Sequence, residues 1–286
     1  MEVLKETGKL LDWISIHGYW SRPSDLGEFE RDYRAIVARA FEPEKRIEKT
    51  KHILGALGFL GKVRISFYEW NLRNWCHPGF FNYDQVDHRL MDKNDLNSNY
   101  TMADAIFTAC FLNTCLRHCD TVGMANFSPV VNTVGAIYTH SEGTVLRPSY
   151  HVFDLFNNHT FEEIVHSVLA SPTFEVDSSG EEGKTGRYLD TIVTRDPTTN
   201  QLGVVLINLH EEDTINCRIR GLERHKSDQI QVHTLAGDSV STFNDIDHPH
   251  AVSIEERSLP NVDWNHFEFP CPAHSVSVLN TKLSTP

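Results

Sequence analysis

The chain has 286 residues, 40% of them hydrophobic, with 39 acidic against 26 basic side chains and a formal net charge of -13. That length holds one large domain or two moderate ones, and no stretch nears the roughly 18 consecutive apolar residues of a membrane-spanning helix. The acidic balance, with no basic stripe, argues against nucleic acid and anionic membrane surfaces as partners and is compatible with a neutral ligand such as a sugar.

In chain order, residues 1–10 lack the apolar core of a secretory signal. Residues 10–20 read as the first strand, with Trp13, Ser15, His17 and Tyr19 on one parity and Ile14, Ile16 and Gly18 on the other. Apolar residues on both parities predict burial on both sides, as in a parallel sheet. The residues with chemistry, His17 and Tyr19, come at its end. A loop with Pro23, Asp25 and Gly27 follows, then a helix over 29–41 from the spacing of Phe29, Tyr33, Ile36, Val37, Ala40 and Phe41. Pro43 suits the first turn of a second helix, which Gly58 and Gly61 stop.

Residues 63–70 form the next strand. Val63, Ile65, Phe67 and Glu69 share a parity, so strict alternation sets a carboxylate on the buried face at a strand end. Such an acid is either a structural ion-pair partner or a catalytic carboxylate at the carboxyl end of a barrel or sheet strand. Strand, helix, strand in this order implies parallel pairing with a right-handed crossover. Residues 71–99 make a polar loop of a length usually reserved for function. Thr101 to Asp104 reads as a capping box opening a helix with Met102, Ala105, Ile106, Ala109, Cys110, Leu112, Cys115 and Leu116 inward. A short strand at 123–127 and a helix at 149–156, started by Pro148, complete a β, α, β, α, β, α half.

Beyond about residue 162 the pattern changes to short alternating runs at 173–176, 188–194, 202–209, 215–220, 230–235, 251–254, 266–269 and 275–279, separated by turn clusters. Seven or eight such strands indicate a β-sandwich. The fold class is therefore α/β followed by all-β, with domains expected at 1–165 and 166–286. The six cysteines, Cys76, Cys110, Cys115, Cys119, Cys217 and Cys271, are too scattered for a disulfide framework. Those between 110 and 119 lie along an apolar helix, which suits small buried hydrophobes better than a tetrahedral metal site. No metal and no cofactor are expected. Sequons stand at Asn99, Asn126 and Asn158.

Several motifs, in order and spacing, resemble family 51 of the glycoside hydrolases, the α-L-arabinofuranosidases. They are Asp12-x-Ile14-Ser15-Ile16-His17-x-Tyr19; Glu69-Trp70-Asn71; Met124-Ala125-Asn126 with Val131-Asn132; and Glu142-Gly143-x-Val145 leading to Tyr150-His151-Val152-Phe153. In the second half, Leu235-Ala236-Gly237-Asp238, Thr242-Phe243-Asn244 and the run from Pro272 to Leu279 resemble that family's C-terminal domain. The resemblance covers essentially the whole chain. It implies a (β/α)8 TIM barrel followed by a jelly-roll β-sandwich, with residues 9–20, 63–70 and 124–126 as strands six, seven and eight.

By the same resemblance the enzyme retains anomeric configuration and Glu69 is its nucleophile. His17, Tyr19, Trp70, Asn71 and Asn126 belong to the substrate-binding set, Trp70 either as a sugar platform or as wall packing. The family's acid/base, in an Asn-Glu pair after strand four, has no counterpart here, so strands one to five are expected to be missing and the chain by itself inactive. Pro129 stands where many members carry a pocket Gln. The implied partner is an arabinose-containing plant polysaccharide or oligosaccharide, the substrate class leans toward secretion, and the family suggests a homo-oligomer. Two other readings stay open: a non-catalytic carbohydrate-binding or interaction fragment, and the same fold acting on another glycoside.

Overall fold

A computed structural model describes residues 2–20, 33–72, 100–132, 135–176, 184–223, 225 and 227–283. The loop at 71–99 beyond Leu72, the start of the helix predicted at 29, Cys76 and the sequon at Asn99 lie outside them.

The first half is built on a parallel sheet in the order β1 (Trp13–Trp20), β2 (Arg64–Leu72), β3 (Val122–Phe127). After α1 (Glu2–Thr7), the helices α2 (Tyr33–Ala38) and α3 (Glu42–Ala56) connect β1 to β2, and α4 (Met102–Arg117) precedes β3. Among the described residues this sheet has three strands and does not close, with β1 and β3 as its edges. The expectation that β1 is buried on both sides fails: Ile14, Ile16, Gly18 and Trp20 face the helices, while Trp13, Ser15 and His17 are exposed. A hairpin of β4 (Ile137–His140) and β5 (Gly143–Leu146), unforeseen in the sequence, and α5 (Pro148–His159) follow.

The second half is a β-sandwich. Its main sheet runs β13 (Ser253–Val262), β12 (Ser227–Ala236), β15 (Ser275–Lys282), β10 (Gln201–Asn208), β9 (Leu189–Arg195), β6 (Glu163–Val165). Alternation along β10 divides its side chains between two cores. Val205 and Ile207 face the helices, while Leu202, Val204 and Leu206 join Phe269 and Cys271 of the small sheet formed by β11 (Ile215–Arg218) and β14 (Glu268–Cys271). A second small ladder pairs β7 (Thr173–Val176) with β8 (Lys184–Arg187). β13 starts two residues late and extends eight residues past its expected range, through Pro260. Proline is tolerated there because β13 is the edge strand.

Helix α4 lies between the two halves, which explains why it is apolar nearly all round. Phe107 and Phe111 meet Trp20, Phe67 and Trp70 of the parallel sheet. At its other end Asn113 and Arg117 bond Asp190 of β9. Its start is the expected capping box: the Asp104 carboxylate accepts from Thr101 N–H at 2.7 Å and from Thr101 Oγ–H at 3.0 Å. Cys110 and Cys115 are buried along it, but Cys119, just past its end, is exposed.

A second tie is Asn244, with no exposed surface. Its amide donates to Leu146 O and Val252 O, each at 2.8 Å, and its carbonyl accepts from Val252 N–H at 2.7 Å. Asn244→Ala strands these groups in a dry environment and is expected to cost about 2–4 kcal/mol, measurable as a lower urea midpoint at unchanged slope.

At the α5–β12 contact the rings of His159 and His233 stack with centroids 3.7 Å apart, with Glu256 Oε1 3.5 Å from His233 Nδ1. Burial, and then His233 alongside, lower the His159 pKa against opposing pulls from Asp154, Glu256 and Asn280. A lowered histidine pKa means that the folded chain binds fewer protons than the unfolded chain just below pH 6.5, so this contribution is lost as pH falls. Asp104, pushed up to about 6 by burial, works in the opposite sense. His159→Phe keeps a stacked ring and removes the proton site. The fall in melting temperature from pH 7.5 to 5.5 should therefore be smaller in His159→Phe than in the parent chain, and equal falls would reject the assignment.

Candidate active site

The three strands carry one acid, Glu69, and its orientation follows from a bulge. Parallel register pairs Ile16 with Phe67 but His17 with Glu69, so Tyr68 is the extra residue. One residue of slip exchanges faces. Strict alternation would have left Glu69 beside Ile65 and Phe67. Instead Trp70 joins Phe67 against the helices, and Glu69 turns to the open face with His17 and Tyr19. A second skip, at Gly123, matches Ser66 to Met124; a Cβ on Gly123 would sit 2.6 Å from the Trp13 ring.

On that face Tyr19 Oη–H donates to Glu69 Oε2 at 2.5 Å. His17 Nδ1 lies 3.6 Å from the same oxygen. Among the described residues both polar contacts of Glu69 go to Oε2 and leave Oε1 free. The carboxylate is 38% exposed, open enough to meet a ligand yet held in one orientation. Tyr68 stacks on His17 with centroids 6.2 Å apart and keeps an exposed ring. Arg46 of α3 donates to the His17 carbonyl and so fixes the end of β1.

The other sequence-derived candidates divide. Asn71 is buried, and its Nδ2 donates to Ser128 O at 3.1 Å, tying the end of β2 to the end of β3. Asn126 alternates with Ala125 and Phe127, which pack against the core, and is exposed at the end of β3. Trp70 does not join the site. It has no exposed surface, and its ring stacks on Phe111 with centroids 3.7 Å apart, so it is wall packing with no face free for a sugar. Ser128, Arg46 and Tyr68 were not singled out in the sequence. For Tyr68 the signal was an aromatic next to the acid, hidden by the assumption of strict alternation.

Among the described residues no three His, Cys, Asp or Glu side chains gather as a metal site. An apolar groove of about 340 Å³ runs along β3, α4 and α5, lined by Leu112, Met124 and Phe153 among others. It does not include Glu69, Tyr19 or His17 and contributes nothing to the chemistry of the acid. What the open face offers is a nucleophile or base with one oxygen fixed by a phenol.

Comparison with known proteins gives this arrangement a context. Residues 69–275 match the family described as the α-L-arabinofuranosidase C-terminal domain. A probable α-L-arabinofuranosidase C of Aspergillus niger is 26% identical over 97% of this chain, which spans 51% of that protein. An intracellular exo-α-(1→5)-L-arabinofuranosidase of Streptomyces lividans is 29% identical over 63% of the chain and 27% of its own length. The arabinose complex of the Thermotoga maritima α-L-arabinofuranosidase superposes with a TM-score of 0.77 at 26% identity, covering 97% of this chain and 54% of that one. The chain thus spans about half the length of the Aspergillus relative and of the Thermotoga structure.

Proposed function

Since the chain belongs to the α-L-arabinofuranosidase family whose C-terminal domain its residues 69–275 match, we propose that it carries the nucleophile side of a retaining arabinofuranosidase site. In this reading β1, β2 and β3 are strands six, seven and eight of a (β/α)8 barrel, and the open face is the barrel interior. The two domains are then 1–165 and 166–286. The observation that carries the reading is the Tyr19–Glu69 bond on that face. Glu69 Oε1 attacks the anomeric carbon of an α-L-arabinofuranoside, forming a C–O bond as the bond to the leaving oxygen breaks. Tyr19 holds Oε2 and stabilises the carboxylate before attack and again when it departs. Water then attacks the same carbon, giving up a proton to the second carboxyl of the site, and returns Glu69, with net retention.

His17 and Asn126 are the polar side chains of the face available to sugar hydroxyls, and Tyr68 supplies the exposed ring that Trp70 does not. Asn71 acts through Ser128. The natural substrates are terminal arabinofuranosyl groups of arabinan or arabinoxylan.

A retaining centre needs a second carboxyl about 5 Å away to protonate the leaving oxygen, and Glu69 is the sole acid of the three strands. The proton donor therefore belongs to another part of the barrel. The test follows from leaving-group chemistry. Dinitrophenolate departs without a proton, whereas an alkoxide does not. The chain is expected to cleave a dinitrophenyl arabinofuranoside slowly and a methyl arabinofuranoside not at all. Equal turnover of both would reject the missing-donor account, and turnover confined to another aryl glycoside would reject the substrate class.

A further inference from the structure

On the reading of Glu69 as nucleophile, we propose that Tyr68 sets the specificity of the site as a stacking platform for a pyranose. That pyranose is the unit that carries the arabinofuranosyl group under attack. A regular strand sends consecutive side chains to opposite faces, yet Tyr68 and Glu69 follow one another on the open face. Both neighbours of β2 register the extra residue. Along β1 the pairing passes from Ile16–Phe67 to His17–Glu69, and along β3 from Ala125–Phe67 to Phe127–Trp70. The bulge therefore sets an aromatic ring beside the acid, with the exposed Asn126 of β3 opposite the two.

A single exposed apolar side chain is ordinary on a protein surface, but this ring is placed and braced. Tyr68 is 59% exposed, while Trp70, two residues on, has no exposed surface. The Tyr68 ring lies against His17 with centroids 6.2 Å and planes 19° apart, and its exposure leaves the outer side open. His17 in turn stands 3.6 Å from the Glu69 oxygen that Tyr19 holds. The polar contacts of Glu69 are thus to Tyr19 and His17, and the Tyr68 ring serves the unit next to the sugar over the acid. Shape decides what that unit is. The face of a tyrosine ring is negative and attracts C–H groups. A pyranose chair with equatorial hydroxyls presents its axial C–H bonds as a flat patch, which a puckered furanose lacks. The site accordingly favours an arabinofuranosyl group on a pyranose backbone, as in arabinoxylan, over the furanose chain of arabinan.

Calorimetry on the 286-residue chain compares two probes, xylotriose bearing one arabinofuranosyl group and linear arabinotriose. The branched xylotriose should bind the more tightly. Tyr68→Leu keeps bulk but removes the ring face, and should raise the Kd of the branched xylotriose about tenfold, the scale of one lost aromatic contact. The Kd of arabinotriose should rise less, and Tyr68→Phe, which keeps the face, should bind the branched probe within about twofold of the parent. Equal losses for the two probes, equal losses in Tyr68→Leu and Tyr68→Phe, or no measurable binding of the branched xylotriose to the folded parent overturn the platform. Should Tyr68→Leu fail to fold, saturating the aromatic protons of the parent chain should mark xylose C–H groups more strongly than arabinose ones; the reverse pattern overturns it. None of these readouts depends on turnover. Full activity in Glu69→Gln would remove the nucleophile reading while leaving the Tyr68 dependence of binding as measured. Unchanged binding in Tyr68→Leu, with activity lost in Glu69→Gln, would overturn the platform alone.

Discussion

Glu69→Gln is expected to lower arabinofuranoside turnover by about four orders of magnitude or more, the scale of losing a nucleophile that works as a unit with its partners. The measurement is made in a polypeptide that also carries the proton donor. The substitution is nearly isosteric, and the amide oxygen still accepts from Tyr19. The fold should therefore survive, with a thermal midpoint close to that of the parent chain. What disappears is the negative charge on the oxygen that attacks. Tyr19→Phe separates holding from attacking: the carboxylate remains but loses its 2.5 Å donor, and the expected loss is only about 10- to 100-fold. If the two variants were equally impaired, or Glu69→Gln the milder, the nucleophile would lie elsewhere.

Asp190→Ala should destabilise the chain by about 3–5 kcal/mol, the usual cost of breaking a buried ion pair from one side. Asp190 is 1% exposed. It accepts from Arg117 Nη1 at 3.0 Å and Nη2 at 3.3 Å, and from Asn113 Nδ2 at 3.0 Å. Arg187 stands 3.9 Å away. Removing the carboxylate strands the Asn113 amide and faces two guanidinium groups with nothing negative between them. Because the network joins α4 to β9, the loss falls on the contact between the parallel-sheet half and the sandwich. A drop in melting temperature of roughly 10 °C is expected for a chain of this size, with the sandwich retaining its strand signal by circular dichroism. A change under 1 kcal/mol would show that water reaches the network.

The sequence was most informative where one local period governed the structure. The strands around Val204 and Val278 alternate between two cores and could be placed to within three residues at either end. Thr101 and Asp104 announced the start of α4 because a cap is a local device. The faces of the parallel sheet were not readable, since the bulge at Tyr68 is a property of pairing with β1 and leaves no mark on β2 itself. For the same reason Glu69 was identified by type and position but assigned to the wrong face, and Trp70 took the buried place expected of the acid. Ser128 was invisible for another reason: its carbonyl meets the Asn71 amide only where the ends of β2 and β3 come together. The strand expected at 251–254 instead continues to Val262, passing through Pro260, which an edge position tolerates.

The central claim, that Glu69 is the nucleophile, is tested most directly by trapping. A dinitrophenyl arabinofuranoside carrying fluorine in place of its second hydroxyl needs no proton donor to react, and it leaves a sugar ester that hydrolyses slowly. After incubation with the 286-residue chain, peptide mass mapping should find one fluorosugar ester, on the carboxyl of Glu69, and none in the Glu69→Gln variant. An adduct on any other acid, or no adduct on a folded chain, would contradict the assignment.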